Sequence, residues 1–331
     1  MNDLAALNRC RYDPANPAGH YESWFQRANH PERPLAFWIR YTIFSPRQRR
    51  VDAFGELWAI WFDGERGRTI AVKETFPFAR CRFSRVDLDA RIGMATLDGS
   101  HLEGKARSAR HTVRWQLDYA GDEAPVLLLA PRFYESAFPK AKALVGSPNA
   151  VFRGFVTIDG EAVRIDGWQG SQNHNWGSRH TDSYAWGQVA GFDNAPATFL
   201  ECATASLRFG GLPAPALTVL VLRVDGKEFS LNSPLQALRA SGRFGYFDWR
   251  IKTRGAGVRI AARLHAPASA FVALRYDNPP GGAKTCLNTK LAACELVLKE
   301  DGKPARTFVT KHRAAFEILT DRDDHGIAIA A

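Results

Sequence analysis

The sequence predicts an all-β protein of two antiparallel β domains, 1-180 and 181-331, with one or two short helices. Three observations carry that reading. Apolar residues recur at every second position in segment after segment, as half-buried strands require. Asp-Gly turn signals stand on both sides of residue 180, at Asp159-Gly160 and Asp225-Gly226. Helical periodicity beyond three turns is confined to Arg132 to Leu144, read as a short connecting helix. At 331 residues the chain also exceeds the usual single core.

Taken in order, a Pro- and Asn-bearing lead (13 to 17) precedes a polar-aromatic segment from His20 to Pro34, where Pro31 and Pro34 exclude a long helix. Leu35 to Phe44 then alternates. Leu35, Phe37, Ile39, Tyr41 and Ile43 share one face, with Trp38, Arg40 and Thr42 on the other, as in a barrel or sandwich wall facing a polar-studded cavity. Glu56 to Asp63 and Thr69 to Phe76 continue the set. Antiparallel pairing could bring Arg40 opposite Glu56; burying such a pair is costly, so it is expected to be exposed, with a functional pair as the alternative. Strands are further expected at His101 to Tyr119, Val126 to Ala130, and Val151 to Asp166. Past the centre the pattern resumes at Ala197 to Arg208, Leu217 to Ser230, Phe244 to Thr253, Gly257 to His265, Phe271 to Asp277, Leu291 to Leu298 and Phe308 to Leu319. A second short helix is expected after Ser233-Pro234.

Composition narrows the function classes. Hydrophobic residues make up 45% and charged residues 24%, ordinary for a globular chain. No eighteen-residue apolar run and no secretory h-region occur, so the protein is expected in the cytoplasm without a transmembrane segment. Five Cys at irregular spacings, with no CxxC pair, read as reduced thiols. The net charge of +10 comes from scattered residues; it favours weak attraction to anionic surfaces and excludes a nucleic-acid patch. His174 and His180 lack metal-ligand spacing, so no metal is expected. Neither GxSxG, GxGxxG nor a P-loop appears, so no cofactor is expected.

The chemistry concentrates in Gly167 to Gln188, GWQGSQNHNWGSRHTDSYAWGQ, which holds three of nine Trp and two of nine His. In extended chain His174 and Trp176 share a face, as do Tyr184, Trp186 and Gln188. Amphipathic rings interleaved with hydrogen-bonding groups suit a pocket for an apolar ligand with a few aimed polar groups. The competing reading is two strands whose Trp residues fill a core.

His174-Asn175-Trp176-Gly177, followed by Tyr184-Ala-Trp186-Gly-Gln188, resembles the lipocalin-like superfamily of carotenoid 1,2-hydratase (hydroxyneurosporene synthase), tocopherol cyclase and AttH-type proteins. The resemblance implies two calycin-like β-barrel domains packed together. In the hydratase and cyclase members it implies protonation of an alkene and capture of the carbocation by water or a hydroxyl. On that reading His174 and Tyr184 are the catalytic candidates. Trp176, Arg179, Trp186, Gln188 and Asn175 would bind an isoprenoid, carotenoid or other lipid-like molecule, helped by Glu22, Trp24, Arg27 and Asn29. His174, Trp176, Tyr184 and Trp186 are expected to converge on one cavity at the domain junction. No Asp or Glu lies in the motif arms; Glu22, Asp166, Asp182 and Glu201 are the carboxylic acids to be placed. The alternative is a carrier that sequesters such a ligand without chemistry. Substrate and oligomeric state are not legible.

Overall fold

The computed structural model describes residues 5–206, 208–209, 212–255 and 257–331. Twelve strands form the first sheet: β1 (His20–Asn29), β2 (Leu35–Ser45), β3 (Phe54–Asp63), β4 (Arg68–Pro77), β5 (Cys81–Phe83), β6 (Asp89–Ile92), β7 (Ala95–Asp98), β8 (His101–Arg107), β9 (Thr112–Ala120), β10 (Val126–Leu127), β11 (Ala141–Ile158) and β12 (Glu161–Gly177). Its order is β4-β3-β2-β1-β12-β11-β9-β8-β7-β6-β5, with β10 on β11, and every pairing is antiparallel. The sheet curls on itself. Tyr41 on β2 reaches the carbonyls of Thr96 and Glu103 across the interior, and Trp115 of β9 donates to its hydroxyl at 3.0 Å.

After β13 (Ser183–Phe192) and β14 (Ala195–Ser206) comes a short pair, β15 (Arg208–Phe209) and β16 (Leu212–Pro213). β17 (Leu217–Val224), β18 (Lys227–Leu231), β19 (Ser241–Phe244), β20 (Asp248–Gly255), β21 (Val258–His265), β22 (Val272–Asp277), β23 (Ala283–Glu300) and β24 (Arg306–Thr320) follow. The second sheet runs β18-β17-β14-β13-β24-β23-β21-β20-β19, with β22 on β23. Each sheet encloses its own core, built around Tyr41, Trp115 and Phe152 in the first and Trp249, Leu264 and Phe316 in the second. A third cluster, including Phe25, Trp38, Trp58, Trp186 and Leu274, lies where the sheets meet.

The all-β reading holds. The expected helix over Arg132 to Leu144 does not form. Pro131–Phe133 makes one 3-10 turn, and Ala141 already opens β11, with Leu144 opposite His174. Pro139 lacks the N–H a helix would need, and β12 offers a long partner for the residues beyond it. The helix after Ser233 is present as α1 (Pro234–Arg239), closed by a capping box between Ser233 and Gln236. Arg40 faces Trp58, while Glu56 faces Thr42. Both charged residues are buried, against expectation, because the second sheet covers that face.

Candidate functional site

The central motif is the crossing between the two sheets. Its first arm ends β12 and its second arm is β13, so the loop 178–182 carries the chain across. Strand alternation then divides the candidate residues. On β1, Glu22 and Trp24 point into the first barrel, while Phe25, Arg27 and Asn29 point at the second sheet. Opposite them on β12, His174 and Trp176 point inward, and Ser171 and Asn173 reach Gln188 of the second sheet. The expected convergence of His174, Trp176, Tyr184 and Trp186 on one cavity therefore does not occur. Two clusters form, separated by the backbone of β1 and β12.

The inner cluster centres on the fully buried Glu22 carboxylate. Arg11 N–H donates to both of its oxygens at 2.8 and 2.9 Å. His174 Nε2 lies 2.8 Å from one oxygen, His20 Nε2 2.9 Å from the other, and the Cys10 thiol 3.5 Å away. Burial by itself would raise the Glu22 pKa, but the hydrogen bonds from His174 and His20 outweigh it and hold the group at about 2. The His174 ring is sandwiched between Trp24 and Trp176, at 4.8 and 4.5 Å between centroids. Its Nδ1 faces the Leu7 carbonyl at 3.3 Å. Burial pushes the His174 pKa below 6.5, against the pull of Glu22. Residues 7 to 11 thus cover this cluster: Trp24 donates to Asn8 O at 2.9 Å, and Arg11 lies 5.1 Å over Trp176. Glu22 is therefore ionised, and burial disfavours the doubly protonated form of His174.

The outer cluster faces the junction. Arg27 is fully buried; its Nε donates to Gln188 Oε1 at 2.7 Å, and Ser171 donates to the same oxygen at 2.6 Å. These donors fix the amide so that Gln188 Nε2 donates to Glu201 Oε2 and to Asn173, each at 2.8 Å. Trp186 Nε1 donates to Glu201 Oε1 at 2.7 Å. Burial raises the Glu201 pKa to about 7, against the lowering effect of those two donors and of Arg27. Arg27 also holds Asn29 at 2.8 Å, yet its Nη2 has no partner among the described residues. Nearby, Lys290 pairs with Glu317 at 2.7 Å and lies over the rings of Trp186 and Trp38. Tyr184 flanks the same aromatic cluster, and burial drives its phenol well above its ordinary value, so it stays protonated.

With this geometry in hand, comparison with solved structures is decisive for the fold. An AttH-like protein of Nitrosomonas europaea superposes on 92% of this chain and 94% of its own, with a TM-score of 0.58 at 13% identity. The chain has the two-barrel, lipocalin-like fold of the AttH-type proteins. Kievitone hydratase from Nectria haematococca shares the AttH-type fold at a TM-score of 0.56 and 12% identity, over 92% of this chain and 89% of its own. CghA, solved with Sch210972, gives 0.55 and 12%, over 93% and 89%. In sequence, two uncharacterized proteins of Mycobacterium tuberculosis, from strains CDC 1551 / Oshkosh and H37Rv, are each 27% identical over 302 residues. The match takes in 89% of this chain and 84% of each relative. No protein-family model matches the chain.

Within this AttH-type frame the remaining candidates fall outside both clusters or at their margin. Arg179 is half exposed and pairs with Asp182 at 2.6 Å. Asn175 accepts a hydrogen bond from Ser23. Asp166 is exposed beside Arg164. The rings of Phe25, Trp38 and Trp186 pack together where the sheets meet. A cleft of about 330 Å³ instead lies in the first barrel beside Asn8, Tyr119, Ser147 and Gln172, where β11 is irregular between Val145 and Ala150. No helix among the described residues is long and apolar enough to cross a membrane. Glu201 is the residue that sequence reasoning undervalued. A β13–β14 hairpin counted from Phe192 opposite Ala195 puts Phe199 across from Gln188; a register shift beside Gly191 puts Glu201 there.

Proposed function

We propose that the chain is a cofactor-free, hydratase-type enzyme that protonates an alkene of an apolar, isoprenoid-like molecule at the junction of its two barrels, with Glu201 as the acid. One observation carries this: Glu201 is a buried carboxyl group titrating near 7, held between the Trp186 indole and the Gln188 amide. A general acid works best when its pKa lies near the operating pH. Glu22, at about 2, and Tyr184, well above 10, lie far on either side. That kievitone hydratase carries the same fold supports the reaction class.

In this reading the Glu201 proton passes to one alkene carbon, whose π electrons form the new C–H bond. Water captures the cation at the other carbon, and its surplus proton returns to the Glu201 carboxylate. Arg27 fixes Gln188, which aims Glu201. The aromatic walls of Phe25, Trp38 and Trp186 exclude bulk water, and the ligand enters as these rings move apart. His174, locked between Glu22 and two Trp rings, positions β1 against β12.

The test is incubation with a panel of isoprenoid alkenes, and with kievitone, in deuterated water, followed by mass spectrometry of the products. Addition of the elements of deuterated water is expected with the parent. Glu201→Gln should lose about 100-fold or more in turnover. Equal turnover in a folded Glu201→Gln variant would remove Glu201 from the reaction.

A further inference from the structure

The seam between the barrels holds a second feature, independent of any acid role for Glu201. A cleft of about 20 Å³ opens there beside Tyr21, Arg40, Thr42, Glu56, His180 and Tyr276. Arg40 is 5% exposed and lies 4.6 Å over the Tyr276 ring. Its Nε has no hydrogen-bond partner, and Arg40 forms no ion pair among the described residues. Two residues along the same strand face, the Thr42 hydroxyl is 4% exposed and equally unpartnered. Two orphaned polar groups on one small cleft are unusual, because buried polar groups almost always find partners.

The neighbouring acids do not answer Arg40. Glu56 is taken by Lys73 at 2.6 Å and by Trp58 Nε1 at 3.1 Å, and Asp277 lies 3.6 Å from Arg275. His180 is stacked on Tyr21 at 4.1 Å, with Nε2 against the Asp277 carbonyl at 3.1 Å. Burial, reinforced by Arg40, pushes the His180 pKa down to about 3, so the ring is neutral. Burial keeps the Tyr21 and Tyr276 phenols protonated. Among the described residues the cleft therefore holds one guanidinium without a counter-ion and the free Thr42 hydroxyl, while the Glu56 and Asp277 carboxylates on its lining are held by other cations.

We infer that this cleft binds a carboxylate, which would accept from Arg40 and Thr42 and neutralise the buried guanidinium. A guanidinium meets a carboxylate in matched planar geometry. Size narrows the choice, since about 20 Å³ holds little more than one water-sized group. Formate, planar with three heavy atoms, comes closest to that space; tetrahedral sulfate, with five, is bulkier.

The experiment is titration at constant ionic strength with sodium formate, acetate, decanoate and sulfate. Binding is read from the tryptophan fluorescence of the full chain, to which Trp38 and Trp58 near Arg40 contribute. A saturable response to the carboxylates, and none to sulfate, is expected. Arg40→Met should weaken it at least tenfold. Thr42→Val, nearly isosteric, should weaken it about threefold and keeps the test decisive should Arg40→Met fail to fold. Decanoate binding at least 100-fold more tightly than acetate would assign the site to the acid end of an apolar ligand; equal affinities would assign it to a free short carboxylate. No saturable carboxylate response, sulfate binding as tightly as formate, or an unchanged response in folded Arg40→Met and Thr42→Val would each overturn the inference.

Discussion

Replacing Glu201 by Gln should flatten the pH dependence of stability in one definite direction. The folded carboxyl titrates at about 7 and the unfolded one at its ordinary 4.5. A group whose pKa rises on folding contributes stability that is present in full below 4.5 and lost as the pH climbs through about 7. At about 1.4 kcal/mol per pH unit, that interval is worth about 3 kcal/mol. The parent's own profile will not show it cleanly. His180, depressed to about 3, adds stability as the pH rises toward 6.5 and works the opposite way. The difference between parent and variant cancels that term. In the variant the new amide still accepts from one donor, but its NH2 faces the other, a pH-independent cost of about 1 to 3 kcal/mol. The variant should therefore be the less stable protein at pH 5 and should draw level with the parent by pH 8. Urea unfolding of both proteins at pH 5, 6, 7 and 8, followed by tryptophan fluorescence, measures this directly. Profiles that stay parallel within about 1 kcal/mol would refute the raised pKa and, with it, the choice of Glu201 as acid.

Two further outcomes follow from the inner cluster. Trp176→Ala should cost about 3 to 5 kcal/mol in urea unfolding, because Trp176 packs on His174, Tyr134 and Leu144; a loss below 1 kcal/mol would show that the ring is not core. Glu22 has its pKa lowered to about 2 on folding, so its stabilisation is present above 4.5 and lost as the pH falls toward 2. Glu22→Gln should accordingly remove much of the acid sensitivity between pH 4.5 and 2.5 while lowering stability at pH 7, both measured by circular dichroism.

Much of the fold was legible because strands covered on one face announce themselves. β9, with Val113, Trp115, Leu117 and Tyr119 inward and charged or polar neighbours outward, is an example. β1 was harder to read. Nine of its ten residues are buried, one face in a barrel and the other on the second sheet, so polarity no longer alternates. The segment after Pro131 misled for a different reason: local apolar spacing suited a helix, and only the partner strand β12 makes it extended.

The site divides along the same line. Parity along a strand is a property of sequence, so the shared faces of His174 with Trp176, and of Tyr184, Trp186 and Gln188, were readable without coordinates. Which way each face points was not, because that depends on where the chain crosses between sheets at 178–182. Nor was the meeting of His174 with Glu22, 152 residues apart, or the register shift at Gly191 that sets Glu201 against Gln188. The sequence by itself determined an all-β chain and the chemistry available in its central motif. Tertiary structure decided which carboxyl group is ionised by its donors and which is held near neutrality, since desolvation and hydrogen bonding act through neighbours in space.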